Sequence, residues 1–286
     1  MTAERIDGTA VAAQRQQEIA RQVEAVVAGG RRPPCLAAVS VGDEPPWRVY
    51  QRRQQRIAEQ VGIVYRDVTL GAACSQEELD HVLQSLNQDA AVDGIILQTP
   101  LPAELDLYHA QSLLDIHKDV EGVNPANLGL VLTGRGGIAP CTARSAVTLA
   151  ETACRDLRGV EAVVVGSSVI VGKPAAELLL NAMATVTVCH IATRDVAAHT
   201  RRAELVIVAV GKPGLLTPEM LQPGVTVIDV GINRVPGPDG KSRIVGDVAP
   251  AVWQIARAVS PVPGGVGSLT TTILFEQTLA AFQRAD

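Results

Sequence analysis

Aromatic residues are scarce in this chain. Phe, Trp and Tyr together make up 2% of its 286 residues, whereas hydrophobic residues make up 47%. The core must therefore be built mainly from Ala, Val, Leu and Ile, a composition typical of buried parallel strands. The chain also has no excess of positive charge, because its formal net charge at pH 7 is -5. We therefore expect neither nucleic acid nor a membrane surface as a partner.

Paired cysteines and long apolar runs are lacking as well. The five cysteines are odd in number and none lies in a CxxC pair, which argues against a disulfide framework and a zinc site. The five histidines are scattered without ligand spacing, so we predict no metal site. No run of about 18 apolar residues occurs, and residues 1–17 carry charges where a signal peptide has an apolar stretch. These features favour a cytoplasmic protein.

Two successive series of helical and strand patterns predict an α/β fold with two lobes. Strands that alternate with helices indicate crossover connections and a parallel sheet. The first series predicts helices over 10–27, 46–61 and 76–87 and strands over 35–42, 64–70 and 94–98. The second predicts helices over 143–154 and from 171, and strands over 160–166, 184–190, 203–211 and 225–231. A final helical pattern, 269–285, could close either lobe, and VPGPDG (235–240) has the composition of a turn.

A glycine-containing turn follows the first strand of the second series. The segment VVVGSSVIVGKP (163–174) leads from an apolar strand through Gly166 into a helix, whose first backbone amides favour a pyrophosphate. Ser168 and Val171 occupy the second and third glycine positions of the GxGxxG pattern, so an ordinary strand-to-helix turn remains an alternative. The three strands that follow favour a dinucleotide site.

The ends of the next strands leave the choice of dinucleotide open. CHIATRD (189–195) follows the second strand of this series, and Arg194 is its only cation. An arginine there accepts a 2′-phosphate, whereas an acid binds a 2′-hydroxyl. We interpret His190 as a packing residue. In VIDVGIN (227–233) a strand ends in a glycine flanked by polar side chains, which indicates either a ligand site or a tight structural turn.

Five motifs in one order carry a resemblance to a known family. DGIILQTPLP, KDVEGVNP and PVPGGVGSLT, together with GSSVIVGKP and VIDVGIN, are similar to motifs of the methylenetetrahydrofolate dehydrogenase/cyclohydrolase family over essentially the whole chain. The resemblance implies a folate-binding catalytic domain over 1–143, with the C-terminal helix 268–286 returning to it, and a Rossmann-type dinucleotide-binding domain over 144–267. It also implies a homodimer, with the folate bound between the lobes.

The segment VYQRRQQR (49–56) departs from the family pattern. The resemblance implies Tyr-x-x-x-Lys here, with a tyrosine that stacks near the folate and a lysine beside the one-carbon unit. Tyr50 matches the tyrosine, but the lysine position is Gln54. Gln98 matches the glutamine that partners the lysine. Hydride transfer asks for alignment, whereas hydrolysis needs a group that moves protons, and glutamine does not titrate. We expect dehydrogenation to survive and cyclohydrolysis to be weak or lost.

The resemblance also implies roles for other residues. Glu121, where the family has an aspartate, would bind the pterin, and Gly264 and Gly265 would allow close approach of the backbone to the substrate. The cofactor-binding residues implied are Gly166, Ser167 and Ser168 at the phosphates, Ile191 near the adenosine ribose and Ile232 near the nicotinamide. Neither Ser167 nor Ile191 is basic, so both NAD and NADP stay open as cofactors.

The predicted function is therefore the oxidation of 5,10-methylenetetrahydrofolate to the methenyl form by an NAD(P)-dependent oxidoreductase. Two alternatives stay open. One is a bifunctional enzyme that keeps methenyl hydrolysis, with Gln98 and a water replacing the lysine. The other is a folate-binding protein without turnover, or a pathway enzyme that acts on another one-carbon adduct.

Overall fold

The structure, a computed structural model, describes residues 2–42, 45–237 and 241–284. The chain divides into two compact units. The N unit comprises Ala13–Cys141 and Thr271–Asp286, and the C unit comprises Met1–Ala12 and Thr142–Thr270. Each unit is built from helices around a parallel sheet, as expected for the predicted α/β fold class.

The N unit contains a three-stranded parallel sheet in which β2 (Cys35–Val41) lies between β3 (Val64–Leu70) and β4 (Gly94–Leu97). Every residue of the central strand β2 is buried, which explains why CLAAVSV contains no charge. The helices of this unit are α1 (Gly8–Ala28, which starts in the C unit), α2 (Pro45–Val61), α3 (Gln76–Gln88), α4 (Leu107–Leu113) and α5 (Pro125–Leu132).

Helix α3 shows how local sequence positions these elements. The side chain of Ser75 accepts a hydrogen bond from the backbone N–H of Glu78, and the Glu78 side chain accepts one from the Ser75 N–H. This capping box satisfies two backbone donors at the start of the helix. Leu79, Leu83 and Leu86 then follow at helical spacing and are buried against the sheet.

The C-terminal helix α9 (Val266–Arg284) enters the N unit at Thr271. Arg15 Nη1 donates to Glu276 Oε2 at 2.7 Å, and Gln277 Nε2 donates to the carbonyl oxygen of Val120 at 2.6 Å. The predicted return of this helix to the first lobe is therefore confirmed.

The C unit contains a six-stranded parallel sheet. Its strands, in their order across the sheet, are β1 (Glu4–Arg5), β11 (Ala258–Val259), β8 (Thr226–Asp229), β7 (Leu205–Val208), β5 (Glu161–Val165) and β6 (Thr185–Cys189). Strands β5, β7 and β8 are almost completely buried, in keeping with their aliphatic sequences. The helices of this unit are α6 (Cys141–Ala153), α7 (Gly172–Asn181) and α8 (Val196–Thr200). An antiparallel hairpin, β9 (Asn233–Pro236) with β10 (Ser242–Val245), completes the unit.

The expected boundary between lobes differs from the structure at the N-terminus. Residues 1–12 belong to the C unit, because Glu4 and Arg5 of β1 pair in parallel with Ala258 and Val259 of β11, whereas the expected first domain starts at residue 1. A two-residue strand leaves no periodicity in the sequence. The predicted strands and longer helices are all present with ends shifted by a few residues. Of the predicted turn over 235–240, residues 238–240 lie outside the described part of the chain.

Within the described ranges, no helix has both the length and the apolar character needed to cross a bilayer.

Two Arg–Asp pairs of the N unit provide a matched test of its stability. Arg32 donates to both carboxylate oxygens of Asp93, a side chain that is only 3% exposed and also accepts from the Cys35 N–H at 2.7 Å. Arg66 pairs with Asp89, whose side chain is 33% exposed and therefore far more accessible than that of Asp93. We expect Arg32→Ala to lower the free energy of unfolding by about 3 kcal/mol, because a buried carboxylate loses its cation.

We expect a much smaller loss from Arg66→Ala, since an exposed pair is screened by water. Urea unfolding of both variants, followed by circular dichroism, measures the difference. Equal losses in the two variants would contradict this account of the Arg32 pair.

Candidate active site

Three polar side chains of the N unit form one hydrogen-bonded group, here called the amide cluster: Gln54 on α2, Tyr65 on β3 and Gln98, which directly follows β4. Gln54 is 6% exposed. Its Oε1 accepts a hydrogen bond from Gln98 Nε2 at 2.7 Å and another from the Tyr65 hydroxyl at 2.9 Å. Both lone pairs of this oxygen are therefore used inside the protein.

The Nε2 group of Gln54 has no partner in the described part of the chain. Among the described residues, Thr148 Oγ1 is the one side-chain nitrogen or oxygen atom that is both fully buried and unpaired. Gln54 Nε2 therefore keeps some contact with solvent. On this side the cluster offers the two N–H donors of Gln54 Nε2.

No member of the amide cluster exchanges protons readily near neutral pH. Burial raises the pKa of Tyr65 well above its ordinary value, the negative charge of Asp67 raises it further, and a hydrogen bond from Gln98 opposes the shift. The phenol therefore stays neutral and acts as a donor. Gln54 and Gln98 are amides and do not titrate.

Tyr50 lies one helical turn before Gln54 on α2, so the two side chains share a face of the helix. Tyr50 is 54% exposed. The structure thus places an accessible aromatic ring next to a buried amide. An exposed ring of this kind suits stacking on a planar ligand.

The KDVEGVNP segment forms a turn held by a buried carboxylate. Asp119 accepts hydrogen bonds from the backbone N–H of Asn124 at 2.8 Å and from Asn127 Nδ2 at 2.8 Å. Gly122 has a φ of +69°, and a Cβ there would overlap the backbone of Ile138 and Ala139. The turn therefore requires glycine at position 122 and fixes the neighbouring residue 121.

Glu121 is partly buried in this turn. No group in the described ranges donates a hydrogen bond to its carboxylate. Desolvation, followed by the negative charge of Asp119, raises the pKa of Glu121 to about 8. A carboxyl group that the protein leaves without a donor is available to a ligand that brings N–H donors of its own.

Gly264 and Gly265 belong to the C unit, and the structure shows a structural reason for both. Gly264 has a φ of +106°. A Cβ on Gly265 would press against the carbonyl oxygen of Pro261, and a Cβ on Gly8 would overlap the carbonyl of Gly265. Glycine is thus required here by packing within the unit, while the predicted ligand contact stays a prediction.

The loop after β5 fits the phosphates of a dinucleotide. Gly166 has a φ of +126°, and a Cβ on Gly172 would overlap the Gly166 carbonyl, so the chain turns sharply into α7. Ser168 Oγ accepts from the Gly172 N–H at 3.4 Å. Across the described residues, the N–H groups of 167–171 find no acceptor. Such free donors at the start of a helix bind anions.

The strand order places this loop where open parallel sheets bind ligands. β5 lies between β6 and β7, so the chain reverses its direction across the sheet next to this loop. Exposed apolar side chains follow the carboxyl ends of four strands, β5 to β8. This apolar rim consists of Val169, Ile170, Ile191, Val210 and Ile232. It includes both isoleucines predicted to lie along the cofactor.

Asp247 is a site residue that the sequence analysis missed. Its buried carboxylate accepts from the N–H groups of Val210 at 2.8 Å and Gly211 at 3.0 Å, and from Asn233 Nδ2 at 2.8 Å. It therefore ties the loops after β7 and β8 together. The Gly-Asp step that follows β10 is the only sequence signal, and it does not reveal which loops the carboxylate reaches.

Asp229 has a structural role. Its carboxylate accepts from the N–H groups of Gly231, Asp247 and Val248 at 2.9 to 3.0 Å. The sequence left VIDVGIN as either a ligand site or a tight structural turn. Asp229 holds a tight structural turn together. Burial still raises its pKa to about 6, against the effect of these donors.

The turn after β6 contains His190, which stabilises it, and Arg194, which is accessible to solvent. His190 Nδ1 accepts from the Ala192 N–H at 3.2 Å, and Thr193 Oγ1 accepts from the His190 N–H at 2.9 Å, so His190 stabilises the turn. Arg194 is exposed and has no partner in the described ranges. Among the described residues, no group of three or more His, Cys, Asp or Glu side chains is arranged to hold a metal ion.

The predicted residues thus fall into two groups. Tyr50, Gln54, Gln98 and Glu121 lie in the N unit. The others lie in the C unit: Gly166, Ser167, Ser168, Ile191, Ile232, Gly264 and Gly265. The C unit has the sheet order and the glycine turn of a dinucleotide-binding domain.

Comparison with known proteins agrees with this geometry. Residues 6–121 match the tetrahydrofolate dehydrogenase/cyclohydrolase catalytic domain, and residues 140–286 match the NAD(P)-binding domain of the same family. The chain belongs to the tetrahydrofolate dehydrogenase/cyclohydrolase family.

Similar proteins cover nearly the whole chain. The bifunctional protein FolD of Bradyrhizobium sp. (strain ORS 278) is 44% identical over 282 residues, which cover 98% of this chain and 96% of that protein. The bifunctional FolD methylenetetrahydrofolate dehydrogenase/cyclohydrolase of Campylobacter jejuni has a similar structure, with a TM-score of 0.93, 38% identity and coverage of 98% and 99%. The Trypanosoma brucei FolD complexed with NADP and an inhibitor has a TM-score of 0.92, 36% identity and coverage of 100% and 99%.

The raised pKa of Glu121 predicts how stability depends on pH. Between about pH 4.5 and pH 8 the unfolded chain releases the Glu121 proton while the folded protein retains it, so this group's stabilising contribution is lost as pH rises. Glu121→Gln mimics the protonated acid. We expect wild type to lose stability relative to Glu121→Gln across this window, as measured by chemical denaturation at several pH values.

The exposed Glu104 provides the control, as Glu104→Gln. A difference between wild type and Glu121→Gln that stays constant from pH 5 to about pH 8 would show that Glu121 does not hold its proton in the folded protein.

Proposed function

We propose that this protein oxidises 5,10-methylenetetrahydrofolate to 5,10-methenyltetrahydrofolate with NAD(P)+ and hydrolyses the product weakly or not at all. The observation that carries the proposal is the neutral, doubly hydrogen-bonded amide at position 54, where the family resemblance leads us to expect a lysine. Family membership supports the dehydrogenase. The chemistry of the amide cluster supports the loss of hydrolysis.

Hydride transfer makes modest demands on the protein. A nicotinamide bound to the C unit would supply the hydride acceptor: one C–H bond of the methylene carbon would break, its electron pair would leave with the hydrogen, and the folate would become a methenyl cation. No proton moves between the folate and a side chain. The chain has to align two carbons and exclude water. The free N–H groups of 167–171 would hold the pyrophosphate, and Ile232 and Val210 would cover the nicotinamide with apolar surface.

The folate would bind to the N unit. Tyr50 offers its exposed ring for stacking, and ionised Glu121 would accept hydrogen bonds from the N3–H and 2-amino groups of the pterin. The raised pKa of Glu121 fits this role, because a ligand with two donors restores the stabilisation that burial removes from the carboxylate. Gln54 and Gln98 would lie at the one-carbon unit, and Gly264 and Gly265 would bring backbone close to the ligand.

Hydrolysis makes a different demand. Water must attack the methenyl carbon and lose both of its protons to become the formyl oxygen, and a ring nitrogen must gain one proton when its bond to that carbon breaks, so one proton is released overall. A positioned acid or base contributes about 10² to 10⁴ to such a rate. Gln54 and Gln98 supply none, and the Tyr65 phenol holds its proton.

A second candidate function is full bifunctionality. The relatives at 43% to 44% identity from Bradyrhizobium and Bordetella are called bifunctional, which favours retained hydrolysis. In this case Gln98 would hold a water in place of the lysine. The direct hydrolysis of the methenyl compound separates the two candidates.

Both NAD and NADP remain candidate cofactors, and the assay below uses each of them. Arg194 is accessible after β6 and would accept a 2′-phosphate, as NADP requires. The Trypanosoma brucei relative was solved with NADP, whereas the absence of a basic residue at Ser167 and Ile191 favours NAD. The homodimer that the resemblance implies belongs to this proposal as well, and the particle mass in solution tests it.

The purified protein should reduce nicotinamide only when methylenetetrahydrofolate is present. Because the hydrolytic step is weak, we expect methenyltetrahydrofolate to accumulate at about one equivalent per reduced nicotinamide before spontaneous hydrolysis intervenes. Parallel reactions with NAD and NADP, followed at the absorbance bands of both products, measure this. Failure to reduce either cofactor would contradict the dehydrogenase.

Gln54→Lys should create methenyl hydrolysis. The variant places an ammonium beside Gln98 and Tyr65, and we expect hydrolysis to rise by about 10² over wild type while nicotinamide reduction persists. Gln55→Lys is the matched control, because the same change is made one residue away, on another face of α2. An unchanged hydrolysis rate in a Gln54→Lys variant that still reduces nicotinamide would contradict the role given to position 54.

A further inference from the structure

The hairpin formed by β9 and β10 brings two polar side chains together. Asn233 is the first residue of β9 and pairs with Val245, the last residue of β10. Asp247 follows two residues later and is fully buried. Asn233 Nδ2 donates to Asp247 Oδ1 at 2.8 Å. The register of the hairpin thus places the two partners of this hydrogen bond next to each other.

Asp247 also binds the loop that follows β7. Its Oδ2 accepts from the backbone N–H groups of Val210 at 2.8 Å and Gly211 at 3.0 Å. Hydrogen bonds to a carboxylate are among the stronger ones in proteins. The two oxygens of Asp247 therefore join two loops, because one binds the loop after β7 and the other binds Asn233, which is adjacent to Ile232 in the chain.

The backbone of Asp247 is itself held on both sides. Its N–H donates to Asp229 Oδ1 at 2.9 Å, and its carbonyl oxygen accepts from the Leu216 N–H at 3.0 Å. A Cβ on Gly231 would overlap the Asp247 carboxylate, so the loop after β8 packs directly against it. The carboxylate thus has little room to move, and the separation of the two loops depends on the hydrogen bonds that it accepts.

The strand order assigns the two halves of a dinucleotide to different loops. The loop after β5 suits the pyrophosphate, and the turn after β6, on one side of β5, is where such domains bind the adenosine ribose. The nicotinamide half then extends to the other side, over β7 and β8. The exposed Val210 and Ile232 lie in the loops after these two strands. Asp247 is buried, so it acts on a ligand only through these loops.

We propose that Asp247 and Asn233 form a positioning pair, which sets the separation of the loops after β7 and β8 and thereby holds the nicotinamide in the position that hydride transfer requires. This rests on the proposed function, because it takes the hydride acceptor as the ligand of these loops. A misplacement of about 1 Å can lower a rate by about 10². Loss of the pair should therefore slow hydride transfer more than it weakens binding, since the pyrophosphate and the adenosine ribose bind at other loops.

Asn233→Asp tests the pair by placing two carboxylates against each other. At about pH 8, well above the ordinary pKa of an aspartate, the like charges repel. We expect the loops to separate and the single-turnover rate of nicotinamide reduction, measured by stopped-flow absorbance, to fall about tenfold or more. Asn181→Asp makes the same change at an exposed asparagine of the C unit and is the control.

Binding of a ligand without the nicotinamide separates positioning from a general structural role. ADP-ribose, or its 2′-phosphate if NADP is the better cofactor, makes only the contacts assigned to the loops after β5 and β6. We expect its dissociation constant, measured by calorimetry, to change less than about twofold in Asn233→Asp. A loss of this affinity as large as the loss of rate would overturn the inference, because the pair would then support the whole domain.

Adding Asp247→Asn to Asn233→Asp should restore the rate. The double variant exchanges the two groups: the amide oxygen of residue 247 still accepts from Val210 and Gly211, and its NH2 group donates to the carboxylate of residue 233. We expect a single-turnover rate within about threefold of that of Asp247→Asn alone. A double variant as slow as Asn233→Asp would overturn the inference.

Circular dichroism shows whether each variant folds. If Asn233→Asp does not, Asn233→Ala takes its place, because it removes the N–H donor without adding a charge. We expect the single-turnover rate to fall about three- to tenfold, the effect of about one hydrogen bond. Wild-type protein that reduces no nicotinamide contradicts the proposed function, and the inference falls with it. Active wild type together with an unchanged rate in the folded Asn233 variant contradicts the inference alone.

Discussion

Two hydrogen bonds to one oxygen atom determine the chemistry of position 54 in this protein. Gln54 Oε1 accepts from Gln98 at 2.7 Å and from Tyr65 at 2.9 Å, and these bonds hold a neutral group at the position where the family resemblance implies a lysine. An amide so held does not exchange protons, and it also does not rotate freely. Position 54 therefore supplies no titrating group. Hydride transfer tolerates this replacement because it moves no proton.

Buried aspartates shape the turns that carry candidate site residues in each unit. Asp119 fixes the turn that carries Glu121, and Asp247 joins the loops after β7 and β8 that carry Val210 and Ile232. Asp229 supports Asp247 through its backbone N–H. Each carboxylate is desolvated but accepts two or more hydrogen bonds, which compensates for part of its burial. Rigid turns of this kind keep the exposed residues at the ends of the strands in place.

Much of this fold could be predicted from the sequence, because long aliphatic strands and amphipathic helices leave clear periodic patterns. Strand β1 could not, because two residues have no period, and its pairing with β11 changes the unit to which residues 1–12 belong. In the site, the importance of Gln54 and Gln98 followed from resemblance to the family. Tyr65 had no such signal, since it reaches Gln54 from another element. The raised pKa of Glu121 depends on burial and on Asp119, and neither is visible before the chain folds.

We propose that the neutral amide at position 54 does not support the opening of the methenyl ring. The most direct measurement is the hydrolysis of 5,10-methenyltetrahydrofolate by the purified protein without nicotinamide, compared with buffer alone. We expect the protein to hydrolyse the methenyl compound at a rate close to the spontaneous one, in a preparation that is active as a dehydrogenase. A rate about 10² or more above the spontaneous one would contradict it.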